Sequence, residues 1–99
     1  MSIHFHKEGD TRNALFELTE EAYDLLEDSI RALEAKTGIY LDPYGKVALY
    51  PDNIKLFCSL IRQQFPAGAP GKQAELVERI LQQLQQLYEL NEIIQAVGE

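Results

Sequence analysis

The stretch Gly38-Ile39-Tyr40-Leu41-Asp42-Pro43-Tyr44-Gly45-Lys46-Val47-Ala48-Leu49-Tyr50-Pro51 decides how the chain is read, because it separates two segments of helical apolar spacing. Asp42-Pro43-Tyr44-Gly45 has an acid at the first turn position, a proline with φ already set at the second, and a glycine at the last. A three-residue loop with Gly45 as a positive-φ bulge residue would place Asp42 opposite Lys46, Leu41 opposite Val47, Tyr40 opposite Ala48 and Ile39 opposite Leu49. In that register Ile39, Leu41, Val47 and Leu49 share one face, and Tyr40, Asp42, Lys46, Ala48 and Tyr50 share the other. A β-hairpin over residues 39–50 with one buried side is therefore expected. A lone hairpin is marginal in water, so helices must cover it.

Both flanks offer helices. Thr19 is an N-cap candidate, Glu20, Glu21 and Asp24 suit the positive end of a helix dipole, and Leu18 and Tyr23 stand at staple positions. Ala22, Leu25, Leu26, Ile30 and Leu33 recur at helical spacing until Lys36-Thr37-Gly38, which predicts a helix over residues 20–36. Downstream, Pro51 fits a first helical turn, and Ile54, Phe57, Cys58, Ile61 and Phe65 form an apolar stripe that Pro66 ends, giving a helix over residues 52–65. After the connector Pro66 to Gly71, the line Val77, Ile80, Leu84, Leu87, Asn91 and Ile94 predicts a third helix over residues 72–97. At ~1.5 Å per residue it would be about 39 Å long and outrun its partners, so its end would cover the strands or meet a second copy. Asn91 would then be either a register-setting polar residue of a coiled coil or the wet edge of the stripe.

The N-terminal residues 1–18 read as an extended segment. Ile3-His4-Phe5-His6 alternates, and Asn13 to Leu18 is a second extended candidate after a polar break, so the two can pair and add to the central hairpin. The expected class is thus α+β and helix-rich: three helices packed on a small antiparallel hairpin, in one domain spanning residues 1–99.

Ninety-nine residues suffice for one core. Forty-five per cent hydrophobic and twenty-five per cent charged residues, with a mean hydropathy of -0.25, are those of an ordinary globular chain. No apolar run is long enough to span a bilayer and the N-terminus lacks a signal-peptide core, so a cytoplasmic address is expected. The net charge of -7 disfavours nucleic acid and anionic lipid and suits a basic protein partner.

Catalytic and ligand motifs give little. His4 and His6 share a strand face and could begin a metal site, but two ligands do not make one, and a third would have to come from Glu17 or another acid. Cys58 sits in an apolar stripe with no base beside it, as a structural thiol does. There is no glycine-rich phosphate loop, no Gly-x-Ser-x-Gly and no His-Glu-x-x-His. Neither an enzyme nor a cofactor is expected. The features that remain are the acids Glu20, Asp24, Glu27 and Asp28 on the solvent side of the first helix and the tyrosines Tyr40, Tyr44 and Tyr50 of the hairpin. Tyrosine is enriched at binding hot spots, and these seven residues form the candidate partner-binding set.

The segment Thr37 to Asp52, set between two amphipathic helices in an acidic chain, resembles the layout of small bacterial immunity proteins. That resemblance implies a non-enzymatic inhibitor that neutralises a cognate toxin by binding it. The helical immunity family of the nuclease colicins is matched only by the echo Leu49-Tyr50-Pro51 of its Tyr-Tyr-Pro element, and the hairpin is additional. An adaptor or secretion-type chaperone that dimerises through the third helix is the alternative. A small enzyme using His4 and His6 is a third reading.

Overall fold

The computed structural model describes residues 2–10, 12–68, 71 and 73–98. Thr11 of the N-terminal polar break, Ala69 and Pro70 of the connector, and Lys72, the expected start of the third helix, lie outside the described residues.

The elements run β1 (Ser2–Lys7), β2 (Phe16–Thr19), α1 (Glu20–Leu25), α2 (Glu27–Thr37), β3 (Lys46–Leu49), α3 (Pro51–Gln64), α4 (Ala74–Glu89) and β4 (Ile94–Gly98). The strands form one antiparallel sheet in the order β2-β1-β4-β3, so the two strands nearest the chain ends lie in its centre. The class is α+β, with four helices and four strands among the described residues.

Register sorts the strand residues into two faces. Phe5 pairs with Phe16 and Ala96, Ile3 with Leu18 and Gly98, and Leu49 with Ile94. Ile3, Phe5, Leu18, Leu49, Ile94 and Ala96 are all buried, in one cluster with Leu26, Ile30 and Leu33 of the first helical segment, Ile54, Phe57 and Ile61 of α3, and Val77, Ile80, Leu84 and Leu87 of α4. The helical layer therefore covers this face. Burial of each large apolar side chain there contributes roughly 1.5–3 kcal/mol.

Several local expectations hold. The Thr19 hydroxyl accepts the Ala22 N–H at 3.3 Å as an N-cap, Leu18 and Tyr23 are buried, and β1 and β2 pair as an N-terminal hairpin. Gly38 ends α2 at φ 78°, where its N–H donates to the Glu34 carbonyl at 2.7 Å. Pro51 begins α3 as expected, and Asn53 Oδ1 accepts the Tyr50 N–H at 2.9 Å.

Three expectations are overturned. The first is the hairpin over residues 39–50. The turn forms, with Gly45 N–H donating to the Asp42 carbonyl at 3.3 Å and Tyr44 N–H to Asp42 Oδ1 at 2.9 Å, but residues 39–42 are not a strand. β3 pairs instead with β4, Lys46 with Val97 through Leu49 with Ile94. Residues 39–42 are held by the helical layer: Leu41 is fully buried and its carbonyl accepts the Tyr23 hydroxyl at 2.9 Å. Gly45 is not among the residues at positive φ, so it is no bulge residue. A side chain there would meet Asp42, its Cβ lying 2.7 Å from Oδ2.

Second, the helix expected over residues 20–36 is broken at Leu26, with φ -97° and ψ 9°. Third, the helix expected over residues 72–97 ends at Glu89. Asn91 takes φ 53°, a left-handed conformation that asparagine tolerates better than most residues, and the chain then reverses into β4. The apparent excess of helix is thus a central strand, and the case for a dimer through a long C-terminal helix loses its premise.

Candidate protein-binding face

The break at Leu26 makes the acidic face. In an unbroken helix the Ser29 N–H would donate to the Leu25 carbonyl four residues earlier. Here the Gln64 side chain of α3 stands between them: Ser29 N–H donates to Gln64 Oε1 at 3.2 Å, and Gln64 Nε2 donates to the Leu25 carbonyl at 3.1 Å. The Ser29 hydroxyl, also buried, lies against Gln64 Oε1 and the Leu60 carbonyl. One primary amide thus replaces one helical hydrogen bond, a recognised cause of a helix kink.

The kink begins a second helix, so two acid pairs occupy first turns: Glu20 and Glu21 in α1, and Glu27 and Asp28 in α2. The positive ends of both helix dipoles favour the carboxylates locally. Around the kink lies an open concavity of about 680 Å³, lined by Glu21, Asp24, Glu27 and Asp28, with Arg31, Leu25, Gln64, Phe65 and Gln73. Four carboxylates face one guanidinium, and that guanidinium already pairs with Glu27 at 2.6 Å. The hollow is therefore strongly negative.

Phe65 and Gln73 line a second, apolar groove of about 530 Å³ beyond it, with Pro66, Ala74 and Val77. The Arg62–Glu78 ion pair, at 2.8 Å, ties α3 to α4 beside this groove. Acid wall and apolar groove are thus contiguous through Phe65.

The sequence-derived set divides. Asp24, Glu27 and Asp28 line the hollow; Glu20 is exposed but lies outside its lining, and Glu21 takes its place. Tyr40, Tyr44 and Tyr50 are exposed at 39%, 79% and 55%, yet none lines the hollow. Tyr40 is tied down, its hydroxyl 3.0 Å from that of Tyr23. Burial pushes the Tyr23 phenol well above its ordinary range, helped by the Tyr40 bond and by the negative charges of Asp42 and Glu27. Tyr50 is the N-cap residue of α3 and Tyr44 projects from the turn. Leu25, Phe65 and Gln64 were missed as site residues because each reads as part of an apolar stripe or as a helix end.

The other chemical candidates stay apart from this face. His4 and His6 lie on the outer side of the sheet with ring centroids 6.3 Å apart, and Glu17, the register partner of His4, approaches it at 3.7 Å. Among the described residues no group of three His, Cys, Asp or Glu side chains is arranged to hold a metal. Cys58 is half-buried, and desolvation pushes its thiol up to about 11, so it stays protonated and weakly nucleophilic at neutral pH.

No protein-family model, no curated protein and no solved structure matches this chain. Among the described residues no helix is long and apolar enough to cross a membrane.

Proposed function

We propose that the chain is a non-enzymatic protein-binding module that acts as an immunity-type inhibitor, receiving a basic segment of its target in the hollow at the α1–α2 kink. The observation that carries this reading is the hollow itself: Glu21, Asp24, Glu27 and Asp28 converge around a concave surface whose floor continues into the apolar groove at Phe65. Lysine or arginine side chains would be drawn to the carboxylates while apolar neighbours settle against Phe65. Long-range attraction of this kind raises association rates more than it deepens affinity. Tyr44 and Tyr50, both exposed, serve as peripheral contacts, and Tyr40 as a fixed one.

Co-expression with the products of neighbouring reading frames tests the proposal. A frame that is toxic alone, is tolerated with the wild-type chain, and becomes toxic again with Asp24→Lys/Asp28→Lys is the expected result. Both positions are exposed, and the double variant spares Glu27, which holds Arg31. Rescue that survives the double reversal would remove the hollow from the recognition surface, and the absence of any neutralised product would remove the inhibitor reading.

A further inference from the structure

The side of the sheet away from the helices has a pattern that the acidic hollow does not explain. Register places Glu17, His4, Val97 and Lys46 in one row across the four strands, and His6, Gln95 and Ala48 in the next. The first row carries a carboxylate at the β2 edge and an ammonium at the β3 edge, both exposed. Between them the centre holds the half-buried His4, Val97, Ala48 and Gln95 and the buried His6. In a chain of net charge -7, the described strand residues of this face include one acid, Glu17, and one lysine, Lys46. The acids of the α1–α2 hollow lie in the helical layer, across the sheet from it.

We propose that this face is where two copies of the chain associate, sheet against sheet, about a two-fold axis parallel to the strands and midway between β1 and β4. Such an axis exchanges the two edges. Glu17 of each copy then faces Lys46 of the other, His4 faces Val97, and His6 faces Gln95. The alternative axis, across the strands, would set Glu17 against Glu17 and Lys46 against Lys46, and like charges opposed at close range are unfavourable.

The dimensions are compatible with the first arrangement. β2 and β3 are three strand spacings apart, about 14 Å, so each charged edge lies about 7 Å from the axis. Packed sheets cross at about 30°, which displaces an edge residue by roughly 4 Å, within the reach of lysine and glutamate across sheets about 10 Å apart. Four strands of about five residues offer about 300 Å² of flat surface, well below the ~800 Å² per partner of a stable interface. The association is therefore weak and reversible. Joined this way, two copies turn their acidic hollows outward, away from each other.

Sedimentation equilibrium of the full chain between about 10 µM and 1 mM tests the proposal. The expected result is a mass rising from the 11.3 kDa monomer towards twice that value. Glu17→Lys or Lys46→Glu alone opposes like charges at both symmetry-related contacts and should weaken the dimer roughly tenfold. The double variant Glu17→Lys/Lys46→Glu restores both contacts and should recover the wild-type constant. An equimolar mixture of the two single variants should associate better than either alone. Circular dichroism of each variant checks that the fold persists, as expected for substitutions at exposed positions. A wild-type chain that stays monomeric throughout, or single variants that associate as the wild type does, would overturn the proposal. So would a double variant no better than the singles.

Discussion

Ser29 donates its backbone N–H to the side-chain oxygen of Gln64, 35 residues further along the chain, at 3.2 Å. The same amide group donates to the Leu25 carbonyl, so a side chain of α3 completes the broken hydrogen-bond ladder between α1 and α2. Without it, two backbone groups at a part-buried position would lose their protein partners, and each such loss costs about 1–2 kcal/mol where water reaches it poorly. Gln64→Ala should therefore lower the free energy of unfolding by about 2–4 kcal/mol in urea titration and speed hydrogen exchange at the Ser29 amide. An unchanged midpoint with a protected Ser29 amide would mean that the two helical pieces straighten into one and do not need the bridge.

Tyr23 makes stability sensitive to alkali. Its phenol is raised in the folded state, chiefly by desolvation and then by the Tyr40 bond, from an ordinary value of 10.0. The folded chain thus holds this proton where the unfolded chain has released it. The contribution is complete below pH 10 and declines as pH rises above that value, by about 1.4 kcal/mol per unit, until the folded-state value is passed. Tyr23→Phe should destabilise the chain at neutral pH by about 1–3 kcal/mol, since the Leu41 carbonyl loses its donor. It should also flatten the decline above pH 10, which denaturation midpoints at pH 8, 10 and 11 would record.

Two glycines should respond differently to alanine. At Gly98 a Cβ would lie 2.3 Å from the Pro43 carbonyl carbon and oxygen, so backbone would have to move, and the Gly98 N–H bond to the Gly45 carbonyl at 2.7 Å would be disturbed. Gly98→Ala should cost about 1–3 kcal/mol. At Gly45 the carboxylate of Asp42, 2.7 Å away, can rotate aside at the loss of its bond to Tyr44 N–H, and Asp42 Cβ at 3.0 Å needs to give by only a few tenths of an ångström, so Gly45→Ala should cost less, about 1–1.5 kcal/mol. Thermal midpoints of the two variants in the opposite order would contradict this account of the turn.

Asn91 separates the turn before β4 from the helical continuation that its neighbours would allow. At φ 53° a β-branched residue is strained, so Asn91→Val should destabilise the chain by about 1–2 kcal/mol while Asn91→Gly leaves it nearly unchanged. If Asn91 were a helical residue the order would reverse, because glycine is the poorer helix former.

The polarity pattern of residues 39–50 was legible and its partner was not. Leu41 and Leu49 are buried while Tyr40 and Tyr50 are exposed, as alternation requires, yet alternation cannot say which strand β3 pairs with. The true partner lay 45 residues on, inside a segment whose Leu90, Ile93, Ile94 and Val97 also fit helical spacing. Short apolar runs do not separate strand from helix, and Asn91, the polar break before them, also fits the wet edge of a helical stripe. The Leu26 break was hidden for a different reason. Nothing in residues 20–36 forbids a continuous helix, and the group that interrupts it comes from Gln64. Caps and helix ends were readable because Thr19, Gly38 and Pro51 act on their own neighbours. The acids Asp24, Glu27 and Asp28 were found through charge, but the concavity that gathers them with Phe65 depends on the kink.

The most direct measurement is the association rate between the chain and the neighbouring-frame product that it neutralises, followed by stopped flow from about 20 to 500 mM salt. Steering by the hollow predicts a rate that falls steeply with salt for the wild type, and a rate for Asp24→Lys/Asp28→Lys that is at least roughly tenfold lower at low salt and nearly independent of it. Equal rates and equal salt dependence for the two proteins, with the fold intact in both, would contradict a role for this hollow in recognition.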